Sequence, residues 1–303
     1  MKKRDLLSIS DFDKSELLHL LLIARKFKES PPADLLRGRI LASCFFEPST
    51  RTRLSFESAM IRLGGSVVGF ADGQVTSSKK GESLSDSMKI ISGYADVIAI
   101  RHPKEGSAHT AADAADIPVI NAGDGSREHP TQTLLDLFTI WEAMGRIDGL
   151  HIALMGDLKY GRTTHSLALA LCHFHCKVSL ISPEALQMPS KIVEELQKSG
   201  IEVSIGSKME EVIPSADIAY MTRIQEERFQ DPADFEKVKG SFVLTASHLI
   251  NANPPLRILH PLPRVQEIDA GVDSTPHAHY FAQAANGLPV RMALLAYLLG
   301  AVR

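Results

Sequence analysis

The segment Phe45 to Ala59 reads FFEPSTRTRLSFESA, and it packs Ser49, Thr50, Arg51, Thr52 and Arg53 together behind Pro48, just before apolar helical periodicity resumes. The first turn of a helix leaves backbone N–H groups unpaired and carries the positive end of the helix dipole. Hydroxyls and a guanidinium added there make a cradle for a phosphate or carboxylate without a glycine-rich loop. The bland alternative is an ordinary Ser/Thr N-cap with solvated arginines. It loses ground because similar polar or basic clusters recur: Arg101-His102-Pro103, GDGSREHPTQ (123–132), GDLKYGRT (156–163), MTRIQEER (221–228) and HPLPR (260–264). In HPTQ, Pro130 suits the first helical position, which sets His129 beside a second helix N-terminus. That field disfavours imidazolium and leaves a neutral donor able to polarise a carbonyl. A capping or core-edge role is the commoner fate of a lone histidine. Gln132 lies in the same first turn and reaches the same ligand.

These clusters need elements to position them. Short apolar runs alternate with helical patterns, which predicts parallel sheets covered by helices. The first series of strands is ILASCFF (40–46), SVVGFA (66–71), DVIAI (96–100) and PVINA (118–122). The second is HIALM (151–155), KVSLI (177–181), VSI (203–205), DIAYM (217–221), SFVLT (241–245) and RILH (257–260). Phe56, Ala59, Met60 and Leu63 mark a helix closed by Gly64. Another helix starts near Pro130 and runs through TQTLLDLFTIWEAMGRI to Asp148-Gly149, where the domain boundary falls. NGLPVRMALLAYLL forms a last helix apolar enough to dock on a core, and residues 71–83 read as the most mobile loop. Each polar cluster follows an apolar strand. In open α/β sheets ligands bind beyond the carboxyl ends of strands. Six such clusters in both halves describe one cleft lined for anions. The expected fold is α/β, with two domains, each a parallel β-sheet flanked by helices, and an active site in the cleft between them.

Bulk properties narrow the function classes. The chain has 303 residues, 44% hydrophobic, with formal net charge −3. That length suits two domains, and the near-neutral charge argues against a general nucleic-acid or acidic-membrane surface. MKKRDLLSISDFD has no apolar run behind its basic residues, so it does not read as a secretory signal, and no run is long enough for a membrane span. Three cysteines, Cys44, Cys172 and Cys176, are an odd, sparse count that suits a reduced cytoplasmic protein.

Two segments imitate other chemistries. GDLKYGRT nearly spells the nucleotide P-loop, but Arg162 stands in the lysine position and Asp157 would put a negative charge in the phosphate nest. Cys172-His173-Phe174-His175-Cys176 looks like a metal site. Four near-adjacent ligands at a helix end do not easily close a tetrahedron, however, so a helix terminus with buried cysteines is the better reading. No metal and no cofactor are expected.

Taken together, FFEPSTRTRLSFESA, RHP, NAGDGSREHPTQTLLDLFTI, GDLKYGRT, YMTRIQEER and HPLPR resemble the catalytic chains of the aspartate carbamoyltransferases, from about residue 40 to the C-terminal helix. STRTR and HPTQ belong to the wider aspartate/ornithine transcarbamylase family. YMTRIQEER and HPLPR carry the likeness to the aspartate branch, since ornithine enzymes typically have a Ser-Met-Gly loop and a cysteine in an HCLP motif. The resemblance implies transfer of a carbamoyl group from carbamoyl phosphate to L-aspartate, an early step of pyrimidine synthesis. It divides the chain into a carbamoyl-phosphate-binding domain (1–148), an aspartate-binding domain (149–285) and a terminal helix (286–303) that packs back on the first domain. Carried over residue by residue, Ser49, Thr50, Arg51 and Thr52 hold the phosphate end. Arg101, His129 and Thr52 bind the carbonyl oxygen, and Gln132 holds the carbamoyl amide. Leu262 and Pro263 present backbone to the carbamoyl group, with a cis bond between them. Arg162, Arg223 and Gln225 face the aspartate carboxylates. Ser77 and Lys80 reach a neighbouring subunit's site, Lys80 being favoured over Lys79 by alignment on KKGE, which implies a homotrimer. A separate regulatory chain is a possible partner. Three rivals stand beside this reading: a transcarbamylase for another amino acid, a nucleotide-hydrolysing switch built on GDLKYGRT, and a silent anion-binding homologue.

Overall fold

The computed structural model describes residues 3–125, 127–224, 240 and 242–302. The chain folds as two units: unit 1 is Met1–Phe138 with Asn286–Arg303, and unit 2 is Thr139–Ala285.

Unit 1 is built on a four-stranded sheet of order β2-β1-β3-β4, made of β1 (Ile40–Phe45), β2 (Ser66–Phe70), β3 (Val97–His102) and β4 (Val119–Asp124). Every pairing is parallel, with Leu41 opposite Val67 and Val97, and Phe45 opposite Arg101. β1, β3 and β4 are almost wholly buried, which is why they read as continuous apolar runs rather than alternating ones. Among the described residues the helices of this unit include α1 (Lys14–Glu29), α2 (Thr50–Arg62), α3 (Leu84–Ile91), α4 (Ser107–Ala114) and the start of α5 (Pro130–Met144). Ala42, Cys44, Ile98 and Ile100 of the sheet pack on Met88 of α3 and on Ala108, Ala111 and Ala112 of α4. The small alanines let α4 sit close on the strands. α2 stops at Gly64, whose φ of 84° gives the left-handed turn that ends a helix.

Unit 2 carries a five-stranded parallel sheet of order β7-β6-β5-β8-β9, formed by β5 (His151–Gly156), β6 (Lys177–Ile181), β7 (Glu202–Gly206), β8 (Ile218–Thr222) and β9 (Arg257–Leu259). α6 (Arg162–Leu171) and α7 (Ser190–Lys198) connect its first strands. Its core joins Ala153, Met155, Ala219 and Met221 to Phe242, Leu244, Leu256 and Tyr280.

Three local expectations need correction. SFVLT forms no strand over its described residues: Phe242 and Leu244 are buried, but Leu244 makes only an isolated bridge to Ile268, so core burial alone accounts for its apolar character. Ser241 lies outside the described residues. α5 ends at Met144, because Gly145 turns left-handed at φ 72°, not at Asp148. The last helix spans Tyr280–Leu298 and starts before Asn286, with Pro289 inside it. Residues 71–83 hold two short turns of 3₁₀ helix, Gly73–Val75 and Ser77–Lys80, stabilised by Asp72 accepting from Gln74 N–H at 2.8 Å and by Thr76 Oγ1 donating to Gly73 O at 2.7 Å.

Candidate active site

Each sheet has a point where the chain reverses its direction of winding, and the polar clusters gather there. In unit 1 the chain goes from β1 outward to β2, then returns to β3 on the opposite side of β1. STRTR follows β1, Arg101 lies near the end of the adjacent β3, and HPTQ follows β4. In unit 2 the chain runs β5, β6, β7 on one side and returns to β8 on the other. Arg162 follows β5, Arg223 follows β8, and HPLPR follows β9. The carboxyl side of such a switch point is where open α/β sheets hold ligands.

The unit 1 constellation starts from α2. Ser49 has the extended backbone of an N-cap but makes no side-chain cap hydrogen bond, which counts against the ordinary-cap alternative. Thr50, Arg51 and Thr52 are the first three residues of the helix; Arg51 is exposed and Thr52 is buried. The guanidinium pKa of Arg51 is lowered first by its partial burial and then by the like charge of Arg101. Two cations set near enough to repel are stabilised by an anion between them. Arg101 is itself buried, donates from Nη2 to Glu47 Oε1 at 2.6 Å and from Nη1 to Ala122 O at 3.4 Å, and keeps a buried Nε with no hydrogen-bond partner. Its neighbour His102 is engaged elsewhere, with Nδ1 accepting from Lys104 N–H at 3.0 Å and lying 2.9 Å from Ser107 Oγ.

His129 immediately precedes α5 and is buried, as is Gln132. The N–H groups of Gln132 and Thr133 donate to His129 O at 2.9 and 3.2 Å, and Thr131 Oγ1 lies 3.4 Å from His129 Nδ1. Gln132 Nε2 donates to Asp136 Oδ1 at 2.8 Å, one turn along. Behind this turn Arg291 is buried, its guanidinium 5.1 Å from the Phe56 ring and its Nη2 3.4 Å from Thr131 Oγ1. Burial pushes its pKa down to about 10, and Asp136 works against that shift. One buried cation thus ties α2, α5 and the C-terminal segment of unit 1 together. The loop before His129 is pinned as well: Glu128 accepts from Ile9 N–H at 3.1 Å and from Ser8 Oγ at 3.0 Å, and Asn121 Nδ2 donates to Leu7 O at 2.9 Å.

In unit 2 the strand ends that carry Arg162 and Arg223 touch. Gly156 of β5 lies opposite Thr222 of β8. Its φ is 110°, and a Cβ there would come within 2.2 Å of Thr222 O, so only glycine permits this approach. Arg162 opens α6 and Arg223 lies one residue past β8; both are partly exposed. Asp157 of the P-loop imitation is fully buried and accepts from Tyr160 N–H at 2.9 Å. A loop amide that a phosphate would need is therefore bonded to the loop's own carboxylate, which counts against the nucleotide switch. Gln225 lies outside the described residues.

Leu262 has φ 54°, rare for a branched side chain, and the Leu262–Pro263 bond is cis. Arg264, in the same turn, pairs with Asp273, and its Nη1 lies 3.0 Å from Tyr280 Oη. Burial and the Asp273 hydrogen bond push the Tyr280 phenol up to about 12. Ser77 and Lys80 both lie exposed in the turn Ser77–Lys80, which Gly81 terminates.

α6 stops at Leu171 before the cysteine–histidine segment. Cys176 is buried and Cys172 partly so, with burial pushing the Cys172 thiol up. Among the described residues, no group of three His, Cys, Asp or Glu side chains is placed to hold a metal ion. No helix of the described chain is long and apolar enough to cross a membrane. Glu47 and the residues that support HPLPR are the contributors that the sequence did not single out. The one signal for Glu47 was an acid standing alone beside a cationic cluster.

Both halves of the chain match known proteins. Residues 4–142 match the family model of the aspartate/ornithine carbamoyltransferase carbamoyl-P binding domain, and residues 148–298 match that of the Asp/Orn binding domain. The chain is 55% identical over 299 residues to the aspartate carbamoyltransferase catalytic subunit of Chromobacterium violaceum, covering 99% of both chains. It is 57% identical over 303 residues to that of Thermococcus onnurineus, covering 99% of this chain and 98% of the relative. Among solved structures, the catalytic subunit of M. jannaschii aspartate transcarbamoylase superposes with a TM-score of 0.91 at 49% identity, over 99% of this chain and 98% of that one. Aspartate transcarbamoylase from Trypanosoma cruzi in complex with N-(phosphonacetyl)-L-aspartic acid gives 0.90 at 39% identity, over 97% and 95%. The chain belongs to the aspartate/ornithine carbamoyltransferase family.

Proposed function

We propose that the chain transfers the carbamoyl group of carbamoyl phosphate to the amino group of L-aspartate, giving N-carbamoyl-L-aspartate and inorganic phosphate. The observation that carries this reading is Arg51 at the first turn of α2, its pKa lowered in part by the like charge of Arg101; in unit 2, Arg162 and Arg223 follow the paired strands β5 and β8. The substrates bear one phosphate and two carboxylates, the groups that guanidinium forks recognise. Full-length relatives named for this reaction support the choice of aspartate as acceptor.

In this reading the phosphate lies at the first turn of α2 against Ser49, Thr50, Arg51 and Thr52. The carbonyl oxygen faces Arg101, His129 and Thr52, which are donors to the negative charge that grows there. Gln132 and the Leu262–Pro263 backbone hold the carbamoyl amide, and Arg162, Arg223 and Gln225 hold aspartate. The amine's lone pair attacks the carbonyl carbon to form a tetrahedral oxyanion. The bond to the phosphate oxygen then breaks, its electron pair leaving with phosphate, which also takes the proton lost by the amine. No side chain forms a covalent bond, so positioning and preset charge supply the catalysis.

The resemblance to the family assigns Ser77 and Lys80, both exposed, to the site of a neighbouring copy in a homotrimer. The enzyme works in the reducing cytoplasm at an early step of pyrimidine synthesis. A second reading, a different amino acceptor, is separated by offering the chain carbamoyl phosphate with aspartate, ornithine, putrescine or acetylornithine and following phosphate release. Turnover with aspartate alone is expected. Preference for an acceptor that carries a second amine in place of the second carboxylate of aspartate would overturn the assignment of Arg162, Arg223 and Gln225.

A further inference from the structure

The turn that carries Leu262 and Pro263 is fixed by a buried pair that makes no use of solvent. His260 and Glu267 are both buried, at 1% and 7% exposure, and His260 Nε2 lies 2.7 Å from Glu267 Oε1. On its other side the ring accepts through Nδ1 from Leu262 N–H at 2.8 Å. The backbone N–H of His260 donates in turn to Gln283 Oε1, at 2.7 Å, and Gln283 is fully buried. Glu267 also spans the far side of the turn, accepting from the N–H groups of Val265 and Gln266 at 3.1 Å. The HPLPR turn is therefore clamped at both ends by one histidine–carboxylate pair. Burial alone would push the Glu267 carboxyl up; the close contact with the His260 ring, with the backbone N–H groups, more than offsets it, so the carboxyl lies below its ordinary value.

The tautomer follows from these contacts. An Nδ1 that accepts an N–H has no proton of its own, so the ring proton is on Nε2 and faces the Glu267 carboxylate. Leu262 needs such a tether, because a leucine at φ 54° persists only where its surroundings over-determine it.

We propose that His260, held in this tautomer by Glu267, is the positioning residue that fixes the Leu262 backbone against the carbamoyl amide of the donor. This rests on the transcarbamylase reading above. It adds that the alignment of the donor's amide is set by a buried histidine that touches no substrate.

The test compares three variants of the full chain. His260→Asn keeps an acceptor near the Nδ1 position, His260→Gln moves it to the Nε2 position, and Glu267→Gln replaces the carboxylate that selects the tautomer. His260→Gln and Glu267→Gln should lower kcat/KM for carbamoyl phosphate by about 10- to 100-fold, the cost of misplacing a reacting group by about an ångström. Neither should change the apparent KM for aspartate. His260→Asn should recover most of the loss. Hydrogen-exchange mass spectrometry over residues 258–268 provides a readout independent of turnover. The Leu262 amide should exchange faster in His260→Gln and Glu267→Gln than in the wild type or His260→Asn.

The proposal is overturned if folded His260→Gln keeps wild-type donor kinetics, or if the Asn variant is as impaired as the Gln variant. Equal exchange at Leu262 in all four proteins overturns it as well. A wild-type chain that transfers no carbamoyl group refutes the functional reading instead, and the exchange arm then still decides whether the clamp exists.

Discussion

Arg51→Ala separates chemistry from stability more cleanly than any other substitution in unit 1. Arg51 is the second residue of α2, its side chain is exposed, and the charge nearest to it in effect is the like charge of Arg101. Removing the guanidinium therefore takes away no core contact and relieves a repulsion. The α2 dipole, Thr52 and Arg101 remain, so phosphate binding is weakened and not abolished. Loss of one preset donor to developing charge costs about 2.7–4 kcal/mol, or about 100- to 1000-fold in kcat. Arg51→Lys should recover part of that, since a point charge replaces a bidentate fork. The assay is steady-state carbamoylation at saturating aspartate, with thermal unfolding measured in parallel. Tm should stay within about 2 °C of wild type, because a change of 1 kcal/mol moves a domain of this size by roughly 2–4 °C. Turnover within about threefold of wild type would refute the phosphate cradle. So would a loss of turnover that simply follows a collapse in Tm.

Arg223→Ala should raise the aspartate concentration needed for half-maximal rate by at least about tenfold, as expected when a charged bond to substrate worth about 1.5–3 kcal/mol is lost; saturation with carbamoyl phosphate, titrated separately, should barely change. Gly156→Ala forces a Cβ to within 2.2 Å of Thr222 O at φ 110°, so it should destabilise unit 2 by on the order of 2 kcal/mol or more, read by urea denaturation. Glu128 has a carboxyl pKa raised by burial above its ordinary 4.5, so its charge costs stability at neutral pH and the protein gains stability as acid protonates it. Glu128→Gln, which keeps an acceptor for Ser8 and Ile9, should raise Tm at pH 7, and the gain should vanish below about pH 4.5, where the carboxyl is protonated folded and unfolded alike. A gain that persists at low pH would exclude the charge as its cause.

The strands were legible because parallel strands buried on both faces leave unbroken apolar runs, and the polar clusters were legible because they interrupt those runs at one end. HIALM, KVSLI and DIAYM coincide closely with β5, β6 and β8. SFVLT misled because its two inward residues are buried without a ladder, and burial without pairing has the same composition as burial with it. Helix ends were less legible: Gly145 stops α5 early, while Pro289 sits inside a helix that begins at Tyr280. The site's cations could be read from local spacing. Their supports could not, since Glu47 reaches Arg101 across 54 positions and Arg291 reaches Thr131 across 160. Such partners are fixed by sheet order, which no local pattern encodes. The clamp at His260 was nearly local, yet it depends on which ring nitrogen accepts the Leu262 amide.

Carbamoyl transfer requires a new bond between the donor's carbonyl carbon and the nitrogen of aspartate. Supplying the chain with ¹³C-carbamoyl phosphate and ¹⁵N-aspartate, and following the carbon by NMR, observes that bond itself. A new carbamoyl resonance split by one-bond ¹³C–¹⁵N coupling is expected, growing in step with inorganic phosphate. Phosphate release that leaves the carbon in uncoupled hydrolysis products, with aspartate unlabelled by carbon, would rule the transfer out.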